Sequence, residues 1–472
     1  MSFFDDSTLA FLPSGGAGKD GKAYSIKPTN GTGDFTFSRG SNLTATRINA
    51  SGLIEKGREN LFLNSDTPAT QSITIANGSV YVFSFLGTGS VVATGGTSFT
   101  LNGTGALDRV QNYFVASSTS VTLTISGTIT IPQLELGLAA TEYILSGASE
   151  GKAGILEHSP RFDYSGGASC ASLLLEESRT NEIGYSEYFE GWTPQGSPTI
   201  TTNYGTSPEG LQNSSRLVFT SVSDYIETSV TNTSGVFTLY AKGTGNLILT
   251  DSGANASSTT ALTSSYQRIE LYFSTNTTTL QIKTDSSGLD AEVYGAQFEN
   301  ATYKTSYIPN NSGGSVTREA DVCGGAGTSS TFNDTEGVLY AEISALADDG
   351  TYRILSINDG TKNERVYMQY TSTTNQISVV VKNGNSTQAN IPFILSDETQ
   401  YAKVAVRYKA NDFALYINGT QRGTDTSGTT PVGLDNFSFD QGNGTTNFYG
   451  NVKQVLVFNT ALSDPEMIAL TS

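Results

Sequence analysis

Ser79-Val80-Tyr81-Val82-Phe83-Ser84-Phe85 places its three aromatic side chains on alternate positions of the chain. Such alternation is typical of an extended strand with one face in a core and the other face outside. Residues 120–125, 235–241 and 268–273 repeat the pattern, and Gly, Asn and Ser fill the stretches between them. Since these residues favour tight turns, the sequence predicts short antiparallel strands arranged as sandwiches.

The composition agrees with an all-β chain of several domains. The chain has 472 residues with 50 glycines, and a single core rarely grows beyond about 250–300 residues. The net charge of −18 disfavours a nucleic-acid partner, because phosphate backbones are bound by clustered Lys and Arg. No apolar run approaches the ~20 residues of a membrane-spanning helix, so we expect no membrane insertion.

The N-terminus and the cysteines bear on where the protein is made. The start of the chain lacks the basic and apolar regions of a signal peptide, so we expect synthesis and assembly in a cytosol. Cys170 and Cys323 are the only two cysteines, too few for a disulfide scaffold or a thiolate zinc site. Because the ends of a sandwich often lie close, the two could approach each other, and we expect free thiols.

An internal repeat divides the chain. Residues 53–60 recur 121 residues later as residues 174–181, with the shared pattern L-[I/L]-E-x-x-R-x-N. A second pattern, Q-[L/F]-E followed by T-x-Y-I, closes each copy at residues 133–144 and 297–308. The interpretation favoured is structural, with ion pairs that fix register and an Asn-capped turn. The expected residues are Glu55 paired with Arg58, Glu176 paired with Arg179, and the capping residues Asn60 and Asn181.

These patterns predict four parts. They are a Gly-rich segment 1–30 that anchors the chain and is ordered only by a partner, a first β-sandwich module at 31–146, a second, jelly-roll module at 147–325, and a C-terminal domain at 329–472. Near the end of the chain, residues 461–470 are the best helix candidate, with Ser463 or Asp464 as its cap and Pro465 in its first turn. Two Asn-Gly pairs, at 383–384 and 418–419, predict tight type I′ hairpins.

Several stretches carry a family resemblance, namely Asp34–Ser41 with Gly52–Leu61; Pro160–Tyr164 with Leu173–Glu176, Arg179–Asn181 and Tyr185–Trp192; Thr305–Pro309 with Val316–Cys323; and Phe413–Gly419 with Gly450–Ser463. The first resembles an opening segment widespread among bacteriophage tail and virion structural proteins, and the second is similar to a further segment of the same kind. In relatives this second segment leads into a carbohydrate-binding-module-like jelly roll, and the third stretch resembles the exit of that jelly roll. The last is similar to concanavalin A-like (laminin G-type) lectin domains. The resemblance implies serial antiparallel sandwich modules with a C-terminal concanavalin A-like sandwich.

Catalytic patterns are weak in this chain. Residues 147–151 match G-x-S-x-G, but a nucleophile elbow needs a strand before it and a helix after it. His158 is the only histidine, so a triad base is barely available. Glu319-Ala320-Asp321 approaches the E-x-D-x-x-E strand of lectin-like glucanases, but Gly324 stands at the third acid position. We expect no enzyme activity and no cofactor.

Binding candidates are aromatic and polar residues near turns. Asp359, Asn363, Arg365, Tyr367 and Tyr370 lie on or beside one expected hairpin of the C-terminal domain, where a glycan site needs polar and aromatic groups together.

Two other groups of residues are weaker candidates. The aromatic cluster Tyr185, Tyr188, Phe189 and Trp192 favours core packing over sugar stacking. Asp440 and Asn443 offer oxygens to Ca²⁺, yet two ligands are too few to predict a metal site.

The leading hypothesis is a bacteriophage virion fibre, spike or decoration protein. It would attach to other virion proteins through its N-terminus, bind host-surface glycan through residues 329–472, and form a homotrimer. One alternative is a virion-associated polysaccharide depolymerase, which requires a paired-carboxylate site that the sequence does not show. A second is a secreted bacterial adhesin, which the missing signal peptide disfavours.

Overall fold

The computed structural model describes residues 3–14, 18, 19, 21–40 and 43–472. Regular structure in these residues is almost entirely antiparallel strand, which confirms the all-β prediction. The two α-helices are α1, Phe3–Asp6, and α2, Asp464–Thr471. Neither helix of the described part is long and apolar enough to cross a membrane.

Eighteen of the strands in the described residues lie before residue 182. In order they are β1 Leu9–Phe11, β2 Gly18–Lys19, β3 Lys22–Ala23, β4 Phe35–Ser38, β5 Thr46–Ile48, β6 Ile54–Lys56, β7 Arg58–Asn60, β8 Gln71–Thr74, β9 Val80–Gly87, β10 Ser90–Gly95, β11 Phe99–Asn102, β12 Gly105–Val115, β13 Ser120–Ser126, β14 Ile129–Leu136, β15 Gly151–Ala153, β16 Arg161–Asp163, β17 Ser172–Leu175 and β18 Arg179–Asn181.

Eighteen further strands follow from residue 193 onwards. They are β19 Thr193–Gln195, β20 Thr199–Thr206, β21 Gln212–Phe219, β22 Tyr225–Asp251, β23 Ser257–Ala261, β24 Gln267–Glu299, β25 Val316–Arg318, β26 Val322–Ala326, β27 Glu336–Ala345, β28 Arg353–Asn358, β29 Arg365–Tyr370, β30 Gln376–Asn383, β31 Ser386–Ile394, β32 Ala402–Lys409, β33 Phe413–Ile417, β34 Thr420–Asp425, β35 Asn436–Ser438 and β36 Gly450–Phe458.

Two large sheets pack face to face and form a sandwich that we call the frame. Sheet A has the order β16-β17-β36-β27-β32-β33-β34, and β1 also pairs with β36. Sheet B has the order β2-β3-β4-β26-β35-β28-β29-β30-β31. One hydrophobic core joins their inner faces and includes residues from the N-terminus, the middle and the C-terminus of the chain. Sheet A is buried on its outer face too, where helix α2 and Phe3 and Phe4 cover Tyr340 and Phe458.

Both repeat modules are insertions in this frame. After β4 the chain leaves through β5–β7 and builds module one, a sandwich of the sheets β11-β10-β13-β8 and β12-β9-β14. It returns to sheet A as β16 and β17, then leaves again to build module two from β19–β24. It enters sheet B as β26 before completing the frame. In module two, the long strands β22 and β24 pair with each other over most of their length around a separate core.

The predicted division of the chain therefore needs correction. Leu9, Ala10 and Phe11, inside the predicted anchoring segment 1–30, do not need a partner to be ordered, because they are fully buried and pair with Val455–Val457 of β36. Residues 329–472 are not a closed unit, since their sheets also contain β1–β4, β16, β17 and β26. The boundary at residue 146 separates module one from β15, which pairs with the entry strand β7.

In the C-terminal part, the predicted helix and one of the two predicted hairpin turns are confirmed. Helix α2 begins at Asp464 with Ser463 as its cap, and Ser463 and Glu466 form a reciprocal capping box. Asn418 and Gly419 have φ of 48° and 73°, as a type I′ turn requires. At the other predicted hairpin the two positive-φ residues are Gly384 and Asn385, because Asn383 pairs with Ser386, and the turn lies one residue later than predicted.

Candidate functional site

The predicted site residues of the frame lie on strand β29 and in the turn before it, and they face two different ways. Val366, Met368 and Tyr370 point into the frame core, whereas Arg365 and Tyr367 point to the outer face of sheet B. Tyr370 is fully buried, and its hydroxyl donates to the Ile343 carbonyl at 3.4 Å. Its prediction as a ligand contact is therefore wrong, since successive side chains of a strand alternate between faces.

Arg365 is held rigidly on the outer face. Its guanidinium carbon lies 4.2 Å from the centre of the Tyr367 ring, and Nη1 donates to the Gln441 carbonyl at 2.6 Å. Its Nε is buried and has no hydrogen-bond partner. Burial lowers the pKa of Arg365, which remains cationic at any physiological pH. The loop after β35 thus lies across this face and fixes the position of the guanidinium.

Asp359 and Asn363 lie in the turn between β28 and β29. The Asp359 carboxylate accepts hydrogen bonds from the backbone N–H of Thr361 at 2.9 Å and from its hydroxyl at 2.6 Å. Asn363 is exposed, and its carbonyl accepts the N–H of Asn385 from the next hairpin. The structure therefore brings Asp359, Asn363, Arg365 and Tyr367 to one rim of sheet B.

A groove of about 250 Å³ lies on the same outer face, over β4, β26 and β35. Its lining carries the polar side chains of Thr36, Ser38, Asn436, Ser438 and Asp440 among a larger area of apolar surface. Gly324 forms part of the floor, where a Cβ would stand 2.8 Å from the Cβ of Ser438. The bare backbone there keeps the groove open, and hydroxyl, amide and carboxylate groups are the partners that sugar hydroxyls need.

The two calcium candidates, Asp440 and Asn443, accept hydrogen bonds from residues of their own loop. Asp440 accepts the backbone N–H groups of Gly442 and Gly444 through one carboxylate oxygen, and Asn443 accepts the hydroxyl of Thr445. Among the described residues, no group of three or more acidic, His or Cys side chains is placed to hold a metal ion. Asp440 instead shapes the loop that borders the groove.

The aromatic cluster of module two is structural. Trp192 and Phe189 lie in the core of that module, as the packing interpretation predicts. Tyr185 and Tyr188 contact module one, because the Tyr185 hydroxyl donates to the Gly78 carbonyl at 2.8 Å and the Tyr188 ring packs edge-on against Tyr113. These two tyrosines join the modules.

The repeat motif has the expected role but not the expected ion pairs. Glu55 pairs with Arg47 and Arg58 with Glu209, while Glu176 pairs with Arg161 and Arg318, and Arg179 with Glu177. Residues three apart in an extended chain point to opposite faces, so the predicted pairs cannot form.

The two asparagines of the motif do cap the entry of each module. Asn181 accepts the N–H groups of Ile183 and Phe298 and donates to the carbonyls of Ala296 and Ile308, all at 3.0–3.1 Å. Asn60 makes the matching four bonds in module one, at 2.8–3.2 Å. Each asparagine therefore ties the opening of its module to the closing motif.

Catalytic patterns lack the required geometry. Ser149 lies in a loop that runs into strand β15, with no helix behind it, and His158 is exposed. Asp321 is fully engaged with Arg39, at 3.0 Å, and with Arg161. Asp321, Arg39 and Arg161 lie where the frame meets the modules.

A cavity of about 710 Å³ lies between module one and the exit of module two. Two lysines on its wall are paired, Lys152 with Glu157 at 2.6 Å and Lys56 with Glu187 at 2.6 Å. The cavity offers a ligand mainly apolar surface.

One comparison with known protein families matches the C-terminal part of the frame. Residues 329–467 match the family model described as the concanavalin A-like lectin/glucanases superfamily. No curated protein matches the chain.

Solved structures that the chain resembles include the CBM40 of a Ruminococcus gnavus IT-sialidase bound to α2,3-sialyllactose. It is 18% identical, the match covers 30% of this chain and 84% of that one, and the TM-score is 0.26. A heptameric SAP-like pentraxin from Limulus polyphemus is 14% identical over 29% of this chain and 70% of that one, with a TM-score of 0.25. Domains LG4-5 of the mouse laminin α1 chain are 10% identical over 60% and 95%, with a TM-score of 0.21. The family match alone identifies residues 329–467 as the concanavalin A-like part of the frame, as the sequence predicts.

Proposed function

We propose that this protein binds carbohydrate through the outer face of sheet B and that it acts by binding, without catalysis. The observation that carries the proposal is the open groove over β4, β26 and β35, whose lining includes the exposed Thr36 and Ser38. The groove lies in a sandwich whose C-terminal part matches the concanavalin A-like lectin/glucanases superfamily. Saccharide sites combine a concave surface with a few directed polar groups, and this groove supplies both.

The experiment is a glycan array probed with the full-length protein and with two tryptophan variants. Ser38 is exposed on β4 and lines the groove, so Ser38→Trp fills the groove without entering the core. Ser72→Trp places the same side chain on an exposed strand position of module one. We expect Ser38→Trp to lose at least tenfold in affinity for the glycans that the parent protein binds, while Ser72→Trp keeps its affinity. Equal binding by all three proteins would contradict the proposal.

The biological setting that we propose is a bacteriophage particle, in which the chain is a fibre, spike or decoration protein assembled in the bacterial cytoplasm. Its support is the resemblance of residues 34–61 and 160–192 to segments of virion proteins. A homotrimer stays a prediction, which a stable monomer in light scattering at micromolar concentration would contradict. Antibody labelling of purified particles, viewed by electron microscopy, tests the virion setting, and unlabelled particles would contradict it.

A further inference from the structure

Three positive side chains converge at the rim of sheet B. Arg365 on β29 and Lys382 on β30 are direct cross-strand partners, and Lys362 precedes them in the β28–β29 turn. Directly opposite residues of an antiparallel pair have Cβ atoms about 5 Å apart, and like charges in that position destabilise the sheet. The arrangement is costly in any protein and unexpected in a chain of net charge −18.

No acidic side chain of the described residues neutralises the two lysines. Among the described residues, neither Lys362 nor Lys382 forms an ion pair within 4 Å. The ion pairs of the frame are made by other Lys and Arg side chains. The acids nearby already serve local donors, since Asp359 accepts from Thr361 while Glu364 accepts the backbone N–H groups of Gly384 and Val432. The negative charge of Asp440 acts on Arg365 and favours the charged form of its guanidinium.

Two further observations describe the electrostatics of the group. The Arg365 side chain is almost completely buried, so its positive charge is largely shielded from solvent. Burial and the neighbouring charges of Arg365 and Lys362 lower the pKa of Lys382. An anion bound by the two lysines would relieve this repulsion. Carboxylate, sulfate and phosphate oxygens are the strong partners of Arg and Lys.

We infer that Lys362 and Lys382, with the buried charge of Arg365 and the exposed Asn363 beside them, form a subsite for the anionic group of an acidic polysaccharide. The inference rests on the proposed carbohydrate binding and names its substrate class as glycans that carry carboxylate or sulfate. The Tyr367 ring orients the guanidinium, the two lysines supply mobile charge at the rim, and the groove beside them holds the neighbouring sugar units.

The test compares polymers that share one α-glucan backbone, namely dextran, carboxymethyl dextran and dextran sulfate, with duplex DNA as a polyanion without sugar rings of this type. Binding of the full-length protein is measured by biolayer interferometry at two salt concentrations. The variants are Lys382→Gln and Lys362→Gln, and the control is Lys409→Gln, which removes an exposed lysine of the frame that pairs with Glu336. Arg365 is left unchanged because it also supports the loop at Gln441.

We expect at least one charged dextran to bind tenfold or more tightly than dextran, with a marked loss at high salt. Each of Lys382→Gln and Lys362→Gln should weaken that binding about tenfold, as the loss of one charge-assisted hydrogen bond predicts, while Lys409→Gln changes it less than twofold. The preferred polymer identifies the anion as carboxylate or sulfate.

Three results would overturn the inference. They are equal binding of neutral and charged dextrans, equal effects of all three lysine variants, and DNA binding as tight as that of the best dextran. In the first two cases, if Ser38→Trp still abolishes binding, the carbohydrate proposal stands and only the acidic subsite fails. If no polysaccharide binds at all, the carbohydrate proposal fails as well.

Discussion

Replacing Asn181 with Ala should destabilise module two by about 4 kcal/mol. The side chain is fully buried, and its removal leaves two N–H groups and two carbonyls in the interior without partners. At about 1 kcal/mol for each bond, the loss is near 4 kcal/mol. With an m-value of ~2 kcal/mol/M for a module of this size, the urea midpoint falls by about 2 M.

The assay follows Trp192 fluorescence during urea unfolding. Trp192 is the only tryptophan and is buried in the core of module two, so its signal reports on that module rather than on the whole chain. Asn300→Ala, at an exposed position after β24, is the matched control and should leave the midpoint unchanged. Asn60→Ala removes the equivalent four bonds from module one, and we expect a similar loss in a transition followed by circular dichroism. A shift below about 0.5 M for Asn181→Ala would refute the assignment of Asn181 as the closure of its module.

Three further predictions concern the frame and its joints. The buried Glu176 is ionised between Arg318 and Arg161, which hold its folded pKa below the usual 4.5 despite burial, so its stabilisation is lost as pH falls below about 4.5. Melting temperatures between pH 3 and 7 should therefore depend less on pH in Glu176→Gln than in the parent. A fragment of residues 329–472 should not unfold cooperatively, because it lacks Leu9–Phe11 and the other frame strands that come from earlier in the chain. A sharp melting transition of this fragment would contradict the shared frame. Native protein should react with a thiol reagent at the exposed Cys170 and, only after unfolding, at the buried Cys323; mapping of labelled peptides checks the order.

The strands and the repeat could be predicted from the sequence because their signals are local. Alternation at Tyr81, Phe83 and Phe85 is enough to place a strand, and the spacing of Asn60 and Asn181 is enough to match the modules. The insertion of both modules into one frame carries no such signal. The contact of Thr8 with Val457 joins residues 449 apart, and the three-residue strand β1 has no alternation long enough to read.

The candidate site shows the same limit. The alternation of Val366, Met368 and Tyr370 was available in the sequence and would have assigned Tyr370 to the core. Lys382 could not be found in this way, because its position opposite Arg365 depends on the register of β29 and β30. The loop between these strands carries no turn signal that fixes this register. Thr36 and Ser38 reach the groove from the other end of the chain, which only the complete sheet reveals.

The frame also changes where the proposed partners can meet the molecule. The predicted N-terminal anchor and the lectin-like part stand at opposite ends of the sequence. In the structure they are adjacent, because β1 pairs with β36 and Phe3 packs against Phe458. The N-terminal helix lies on the outer face of sheet A, whereas the groove and the Lys362–Arg365–Lys382 group lie on the outer face of sheet B. A partner that holds the N-terminal helix and a glycan that fills the groove would therefore approach opposite sides of the same sandwich. The proposed attachment and the proposed carbohydrate binding are then compatible within one sandwich.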